Sequence, residues 1–252
     1  GMMPAPAAGG VPSGSHAREE SPEALARMVL ACGGPMGIVL DHDGTLVRFR
    51  IDPAEALPSA RALRALARLV GARRPVCMIS GRPLGFLRRA FPVPGIDLIG
   101  SHGAEFSIGR TRRPSSTRPD PAVARLSGRL QESLRDAPRG MVLERKPFGV
   151  AVHLRALPAG SRASWMRRAT EIVERALPEG FETLTGSCVV EARRSGAGKG
   201  RALERLRGSG ERWRRGIVVA GDDRTDEDMF EALVRGDVGI LVARSTRPSA
   251  AA

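Results

Sequence analysis

Asp41 and Asp43 stand one residue apart at the end of the apolar run Ile38-Val39-Leu40. Residues i and i+2 of a strand point the same way, so both carboxylates leave the strand end together. Gly44 follows and lets the backbone turn sharply. Two carboxylates held that close repel each other unless a cation lies between them. Mg²⁺ fits the demand, because it takes one or two carboxylates together with the phosphate oxygens of a substrate. A plain turn is the competing account, since Asp and Gly are turn residues. What decides is whether other strand ends carry matching chemistry.

Two of them do. The run from Pro75 to Ile79 reads as a buried strand and passes straight into Ser80-Gly81-Arg82. The run from Gly216 to Ala220 reads likewise and ends in Gly221-Asp222-Asp223, followed by Thr225-Asp226-Glu227-Asp228. Lys199 precedes that third loop. Strand-end loops of a parallel sheet converge on one crevice. The collected set is a nucleophilic carboxylate, a second carboxylate, a hydroxyl beside a Gly N–H, an ammonium and an acidic loop. It suits phosphoryl transfer, in which positioning and charge neutralisation carry most of the catalysis.

The elements that must position these residues follow from periodicity. A helix is expected from Ser21-Pro22-Glu23 to about Cys32, and strands at about 37–41, 75–79 and 96–99. Between the strands lie a helix opened by Pro58-Ser59, with Leu63, Leu66 and Val70 on one side, and a short helix over 84–90. This β-α-β-α-β order implies a parallel sheet. A polar, Pro-rich connector over 109–120 then breaks the pattern. A helix with Val123, Leu126, Leu130 and Leu134 inward follows, then a hairpin around Pro147, a helix over about 161–177, and strands at about 181–185 and 187–192. One face of this α+β module carries Glu144, Lys146, His153, Arg155 and Glu191. Such a face is either the wet side of an antiparallel sheet or a lid over a polar ligand. After Lys199 the α/β order resumes, with a helix over 198–207 and the strand at 216–220. A helix then starts near Thr225, with Asp228 in a capping-box pattern, and a last strand spans 237–242. The fold class is α/β, a doubly wound Rossmann-like parallel-sheet core with an inserted small α+β cap domain. The core takes residues 23–107 and 193–252 and the cap 108–192; residues 1–22, rich in Gly, Pro, Ala and Ser, read as a disordered lead.

Composition narrows the partners. The 252 residues allow one or two domains and a sizeable core. The net charge is +13, and 38 of the 40 basic residues are arginine, since Lys146 and Lys199 are the only lysines. Abundant Ala, Gly and Pro beside so much Arg suggest codon bias, which makes much of the charge solvated arginine on helix faces. Aromatics amount to 4%, too few to interleave with a basic stripe as a nucleic-acid surface requires; no nucleic-acid partner is expected. The two lysines are candidates for positions where a compact point charge is needed and the planar Arg fork will not do. Cys32, Cys77 and Cys188 have no metal-type spacing, and Cys77 and Cys188, in apolar runs, read as core. No membrane span and no signal peptide are expected, so a cytoplasmic monomer is the default.

In this order, the motifs resemble those of the haloacid dehalogenase-like phosphatase superfamily. More narrowly, Ile79-Ser80-Gly81-Arg82-Pro83-Leu84, Ile99-Gly100-Ser101-His102-Gly103-Ala104-Glu105, Glu144-x-Lys146, His153-Leu154-Arg155, Lys199-Gly200 and the stretch Gly221 to Phe230 resemble trehalose-6-phosphate phosphatases over about residues 36–242. The resemblance implies Asp41 as the nucleophile that forms an aspartyl-phosphate and Asp43 as general acid, then base. It implies Mg²⁺ on the carboxylates of Asp41 and Asp222 and the backbone carbonyl of Asp43, with Asp223 and Asp226 holding the metal's waters or ordering the loop. Ser80, the Gly81 N–H and Lys199 would hold the phosphoryl oxygens. Arg82, His102, Glu144, Lys146, Arg155 and Glu191 would bind the substrate, a sugar phosphate, under a mobile cap. His42, between the two aspartates, points to the opposite side and reads as packing.

The implied reaction is hydrolysis of trehalose 6-phosphate to trehalose and phosphate. Other sugar phosphates, such as sucrose phosphate or a glucosyl-glycerate phosphate, share the core motifs; Glu144-x-Lys146 and Glu191 are the discriminating features. A non-catalytic regulatory module on the same fold is the alternative of a different class, against which the intact Asp41, Asp43, Lys199 and Asp222 argue.

Overall fold

The computed structural model describes residues 20–31, 36–48, 50, 52–109 and 120–243. Residues 1–19 of the expected N-terminal lead, Cys32 and most of the 109–120 connector lie outside the described residues, and Pro22, counted in that lead, already begins a helix.

Six strands form the larger sheet: β1 (Gly37–Leu40), β2 (Val76–Ile79), β3 (Asp97–Gly100), β4 (Glu105–Ser107), β9 (Ile217–Gly221) and β10 (Val238–Leu241). Their order is β10-β9-β1-β2-β3-β4. Every pair is parallel except β3 and β4, where Ile99 faces Phe106 in antiparallel register. The strand β4 was not read from the sequence, because three residues are too short for a period to show. After β1 the chain winds outward through β2 and β3 on one side and later through β9 and β10 on the other. The reversal leaves a crevice at the carboxyl ends of β1 and β9, where open α/β sheets bind ligands.

Helices cover both faces, as the unbroken apolar runs of β1, β2 and β9 demand. On one face α2 (Ala60–Gly71) and α3 (Leu84–Ala90) pack Leu66, Leu84 and Leu87 onto Val76, Met78 and Leu98. Ser59 caps α2 by accepting from the Ala62 N–H, while Arg61, Arg64 and Arg68 lie on its exposed side. On the other face α6 (Lys199–Gly208) and α7 (Arg224–Glu231) bring Leu203, Leu206, Met229 and Phe230 onto Val39, Cys77 and Val219, with Trp213 fully buried beside them. Helix α1 (Pro22–Ala31) supplies Val29 against Met36 and Val218.

The second sheet holds β5 (Val142–Lys146), β6 (Gly149–His153), β7 (Phe181–Gly186) and β8 (Val189–Arg194), antiparallel throughout in the order β5-β6-β8-β7. Strand β8 runs on to Arg194, past the residue-192 limit expected for the cap. Helices α4 (Pro121–Ser133) and α5 (Ala159–Ala176) cover one face. Asp120 caps α4 by accepting from the Ala122 N–H, with Pro121 at the first helical position. Period-two alternation places Val150, Val152, Leu154 and Val190 inward, where they meet Leu126, Leu130 and Val173. The opposite face is thereby committed to Glu144, Lys146, His153 and Glu191. Cys188 departs from the expected core position. It belongs to the tight connection between β7 and β8, where its backbone takes a left-handed φ of 61° and its side chain is only half-buried. Among the described residues, no helix is long and apolar enough to cross a membrane.

Leu126 is fully buried between the cap helices and their sheet. Its replacement by Ala should lower stability by about 2–5 kcal/mol, the range for buried leucines whose cavity collapses incompletely. Chemical denaturation should show this as a lower midpoint at unchanged slope.

Candidate active site

The carboxyl ends of β1, β2 and β9 and the polar face of the second sheet enclose one cleft. Asp41, Asp43, Ser80, Arg82, His102, Glu144, Lys146, Glu191 and Lys199 all line it. Gly81, Arg155 and Asp223 also face it, so sequence-predicted residues from widely separated stretches are brought together.

Lys199, the first residue of α6, is buried and donates to Asp41 Oδ1 and to Asp226 Oδ1, each at 2.6 Å. Burial disfavours its charge, but the two carboxylates outweigh burial and raise its pKa. Asp226 Oδ2 accepts the backbone N–H groups of Asp222 and Asp223 at 2.9 and 3.0 Å. One side chain therefore organises the acidic loop and holds the lysine. This replaces the expected capping box: Asp226, not Asp228, reaches back to the loop amides, while the Asp228 carboxylate lies toward Gly198 on the neighbouring helix.

Carboxylate oxygens of Asp41, Asp222 and Asp226 lie within 4.8 Å of one another. Burial pushes Asp41 up to about 8 even with Lys199 pulling it down, and the nearby Asp226 and Asp222 charges push the same way. Burial likewise raises Asp222 to about 6, with Asp226 adding to the shift and the Thr45 hydroxyl opposing it from Asp222 Oδ1 at 3.1 Å. Gly44, with φ 90°, lets the first loop double back under the Asp222 carboxylate; a Cβ there would fall 2.0 Å from Asp222 Oδ2. Both oxygens of Asp226 are engaged, one by Lys199 and the other by the two loop N–H groups. Asp43 turns elsewhere. Arg82 grips it through two bonds, Nε to Oδ2 at 2.6 Å and Nη2 to Oδ1 at 2.8 Å. Burial would raise Asp43, but the Arg82 bonds and charge outweigh it and hold the carboxyl below its usual range. Arg82 thus meets the second aspartate, not open space awaiting a ligand.

Ser80 is buried and its hydroxyl accepts the Arg82 N–H at 3.2 Å. His42 lies on the far side of the loop, as its position between the aspartates suggested. It bonds the Ala56 carbonyl at 2.8 Å and packs edge-on against Phe86 and Phe91.

Across the cleft, Lys146 donates to Glu191 at 2.9 Å, and His102 donates to the same Glu191 oxygen at 3.4 Å. Burial would raise Glu191, yet the Lys146 and His102 charges and bonds prevail and hold it well below the carboxylate range. The ring of His102 lies against Gly81. Glu144 accepts from His153 Nε2 at 2.7 Å, a bond that keeps its carboxyl low. Arg155 donates to the Ser187 carbonyl at 3.2 Å and so braces the β7–β8 connection. Both lysines of the chain are therefore ion-paired in this cleft.

Sequence reasoning assigned no role to several residues found here. Thr45 stood in the first motif without one. His153 was legible from alternation along β6. Thr225 was read only as a helix start, and Arg50 and the wall from Leu184 to Val189 carried no signal, because only tertiary structure brings them to the cleft.

Two outcomes follow from these pairings. In Asp226→Asn, an amide NH₂ must face either the loop N–H groups or the Lys199 ammonium, so stability should fall by about 3–5 kcal/mol, as for a broken buried ion pair; urea unfolding at neutral pH measures it. Glu191 has a folded-state pKa below its unfolded one, so its stabilisation is present above the unfolded value, roughly 4.3, and is lost as pH falls through the folded value. The stability gap between the wild type and Glu191→Gln should therefore be full at pH 7 and shrink in acid. A gap that is constant down to acid pH would contradict the pairing.

Comparison with known proteins agrees with this geometry. The family model described as trehalose-phosphatase matches residues 39–251. A trehalose-phosphate phosphatase of Mycobacterium avium is 35% identical over 240 residues, covering 90% of this chain and 60% of that protein. The crystal structure of a trehalose-6-phosphate phosphatase related protein aligns with a TM-score of 0.65 at 30% identity, covering 83% of this chain and 88% of the other. A haloacid dehalogenase-like hydrolase from Bacteroides thetaiotaomicron shares the fold, with a TM-score of 0.60 at 14% identity over 84% of this chain and 90% of the other. The chain spans about 60% of the length of the curated relatives it matches. With the doubly wound core, the inserted cap and a family match over nearly its whole length, the chain belongs to the trehalose-phosphatase family.

Proposed function

We propose that this chain hydrolyses trehalose 6-phosphate to trehalose and inorganic phosphate, as a cytoplasmic monomer whose cap, expected over 108–192, extends with β8 to Arg194. The supporting observation is the meeting, in one cleft, of a buried Asp41–Lys199 pair with a cap face of pre-paired polar groups. A disaccharide phosphate needs both. Its phosphate needs cations and N–H donors, and its hydroxyls need donors and acceptors with little apolar surface.

Asp41 attacks phosphorus, and the bond to the sugar oxygen breaks as that oxygen takes a proton from Asp43. The aspartyl-phosphate is then split by water, with Asp43 taking the proton back. Lys199, Ser80 and the Gly81 N–H neutralise and orient the phosphoryl oxygens. For Asp43 to carry a proton, Arg82 must release it. Glu144, whose charge already acts on Arg82, offers that guanidinium a second partner. Glu144, Lys146, Arg155, His102 and Glu191 receive the distal sugar.

The donor set fits Mg²⁺. Several carboxylates crowd one buried Lys, and the Asp226 and Asp222 charges add to burial in lifting Asp41 to about 8, so the site carries a deficit of positive charge. Asp41, Asp222 and the Asp43 carbonyl would hold the ion, with Asp223 and Asp226 ordering its surroundings. Bound there, Mg²⁺ supplies charge neutralisation for the phosphoryl group.

Phosphate release from trehalose 6-phosphate, glucose 6-phosphate and sucrose phosphate at equal concentration, with Mg²⁺, tests the reading. We expect kcat/KM for trehalose 6-phosphate to lead by at least about tenfold, one hydrogen-bonded contact's worth of discrimination. Loss of activity is expected in Asp41→Asn and on chelation, with recovery when Mg²⁺ is restored. Preference for another sugar phosphate would keep the chemistry and discard the substrate. Silence across the panel with folded protein would favour a regulatory homologue.

A further inference from the structure

The stretch Gly100-Ser101-His102-Gly103-Ala104-Glu105 contributes one side chain, His102, to the cleft, and the proposed reaction leaves the rest without a role. Its backbone is unusual. Ser101 and His102 are consecutive non-Gly residues in the left-handed region, with φ of 49° and 52°. That conformation costs L-residues of this kind free energy, and it persists where the surroundings over-determine it. What holds the turn is also what it holds.

The Ser101 N–H donates to the Arg82 carbonyl at 2.9 Å, and the His102 N–H to the Ser80 carbonyl at 3.1 Å. Glu105 Oε2 accepts the Ser101 hydroxyl at 2.6 Å and the Leu84 N–H at 3.0 Å. Leu84 opens α3, whose preceding Pro83 provides no side-chain cap, so Glu105 does that work from 21 residues away. The two chains touch closely enough that a Cβ on Gly100 would fall 2.6 Å from Leu84 N and 2.7 Å from the Arg82 carbonyl. On its other side the turn meets α6. Gly103 packs against Ala202, and Arg205 reaches the Gly103 carbonyl while stacking over Phe106. Lys199 begins that helix.

We propose that Glu105 is a positioning residue for phosphate binding. By pinning the strained Ser101–His102 turn to the start of α3, it fixes both ends of the Ser80-Gly81-Arg82 loop and sets the loop's distance from the helix that carries Lys199. Glu105 touches neither substrate nor metal. The inference rests on the phosphatase reading for the identity of the ligand, an inorganic or ester phosphate.

Both donors to Glu105 meet the same oxygen, so the carbonyl oxygen of Gln can replace it, whereas Ala cannot. The test is the Kd of inorganic phosphate, by calorimetry in the presence of Mg²⁺, for wild type, Glu105→Ala and Glu105→Gln. The phosphate inhibition constant against whatever sugar phosphate is hydrolysed is measured alongside. We expect both constants to rise about tenfold or more in Glu105→Ala, since displacements near 1 Å carry penalties up to about a hundredfold, and to stay within about threefold of wild type in Glu105→Gln. Neither constant depends on the fraction of protein that is correctly folded, so a merely structural role would leave both unmoved. Ser101→Ala, which removes one of the two bonds, should give an intermediate rise and serves where Glu105→Ala does not fold. Unchanged phosphate affinity in Glu105→Ala, or in Ser101→Ala where the former does not fold, overturns the proposal, as does a Gln variant no better than Ala. If the wild type hydrolyses no sugar phosphate, the function reading fails, and the calorimetric comparison still decides the role of Glu105.

Discussion

The site depends on one buried cation. The Lys199 ammonium lies between Asp41 and Asp226 at 2.6 Å from each, and those three residues belong to α6, the end of β1 and α7. Taking an ammonium and two carboxylates out of water costs several kcal/mol per ion, and their attraction offsets this only when geometry is close and the remaining groups are bonded. Here Asp226 spends its second oxygen on two backbone N–H groups of the acidic loop. The interaction that places the ammonium beside Asp41 therefore also shapes the loop that presents Asp222. A guanidinium could not take the Lys199 position without moving one of these elements, because its nitrogens are spread over a planar fork. In a chain where Arg supplies nearly all positive charge, that geometric demand explains why a lysine stands here.

The cap face follows a different logic. Glu144 with His153, and Lys146 with Glu191 and His102, are bonded to one another across the cleft wall. Such pairing fixes side chains in place before any ligand arrives, so less entropy is lost on binding than from free, solvated arms. It also leaves each group with further donors or acceptors, which is what sugar hydroxyls require. The contact of His102 with Glu191 joins core to cap directly. That bond gives the cleft a polar seam between its two walls, apart from any seam a ligand would add.

Legibility in the sequence tracked the range of the interactions. The doubly wound core was readable because buried parallel strands are apolar throughout, and β1, β2 and β9 lie within a residue or so of their expected limits. The cleft-facing set on β5 and β6 was readable because alternation is strictly local. Interactions that bridge distant segments were not readable. Arg82 meeting Asp43, Asp226 reaching Lys199 across 27 residues, and Glu105 capping α3 each depend on where the fold returns the chain. Cys188 shows the converse failure: its apolar neighbours suggested core, but the tight β7–β8 connection needed a left-handed residue at that position. The H-G-A-E stretch was recognisable as a pattern, yet the reason for its Glu lies in a bond that spans 21 residues.

The bond between Arg82 and Asp43 ties these threads together. An aspartate gripped twice by a guanidinium is held ionised, the form suited to taking a proton from water and unsuited to giving one to a sugar oxygen. The observed pairing therefore matches the second half of the proposed reaction better than the first. Arg82 sits on the loop that the Ser101–Glu105 segment clamps from below, while Glu144, which attracts it, sits on the cap above. In the proposed reaction Arg82 must therefore let go of Asp43 before the first proton transfer, and the cap's Glu144 is the carboxylate whose charge already acts on that guanidinium.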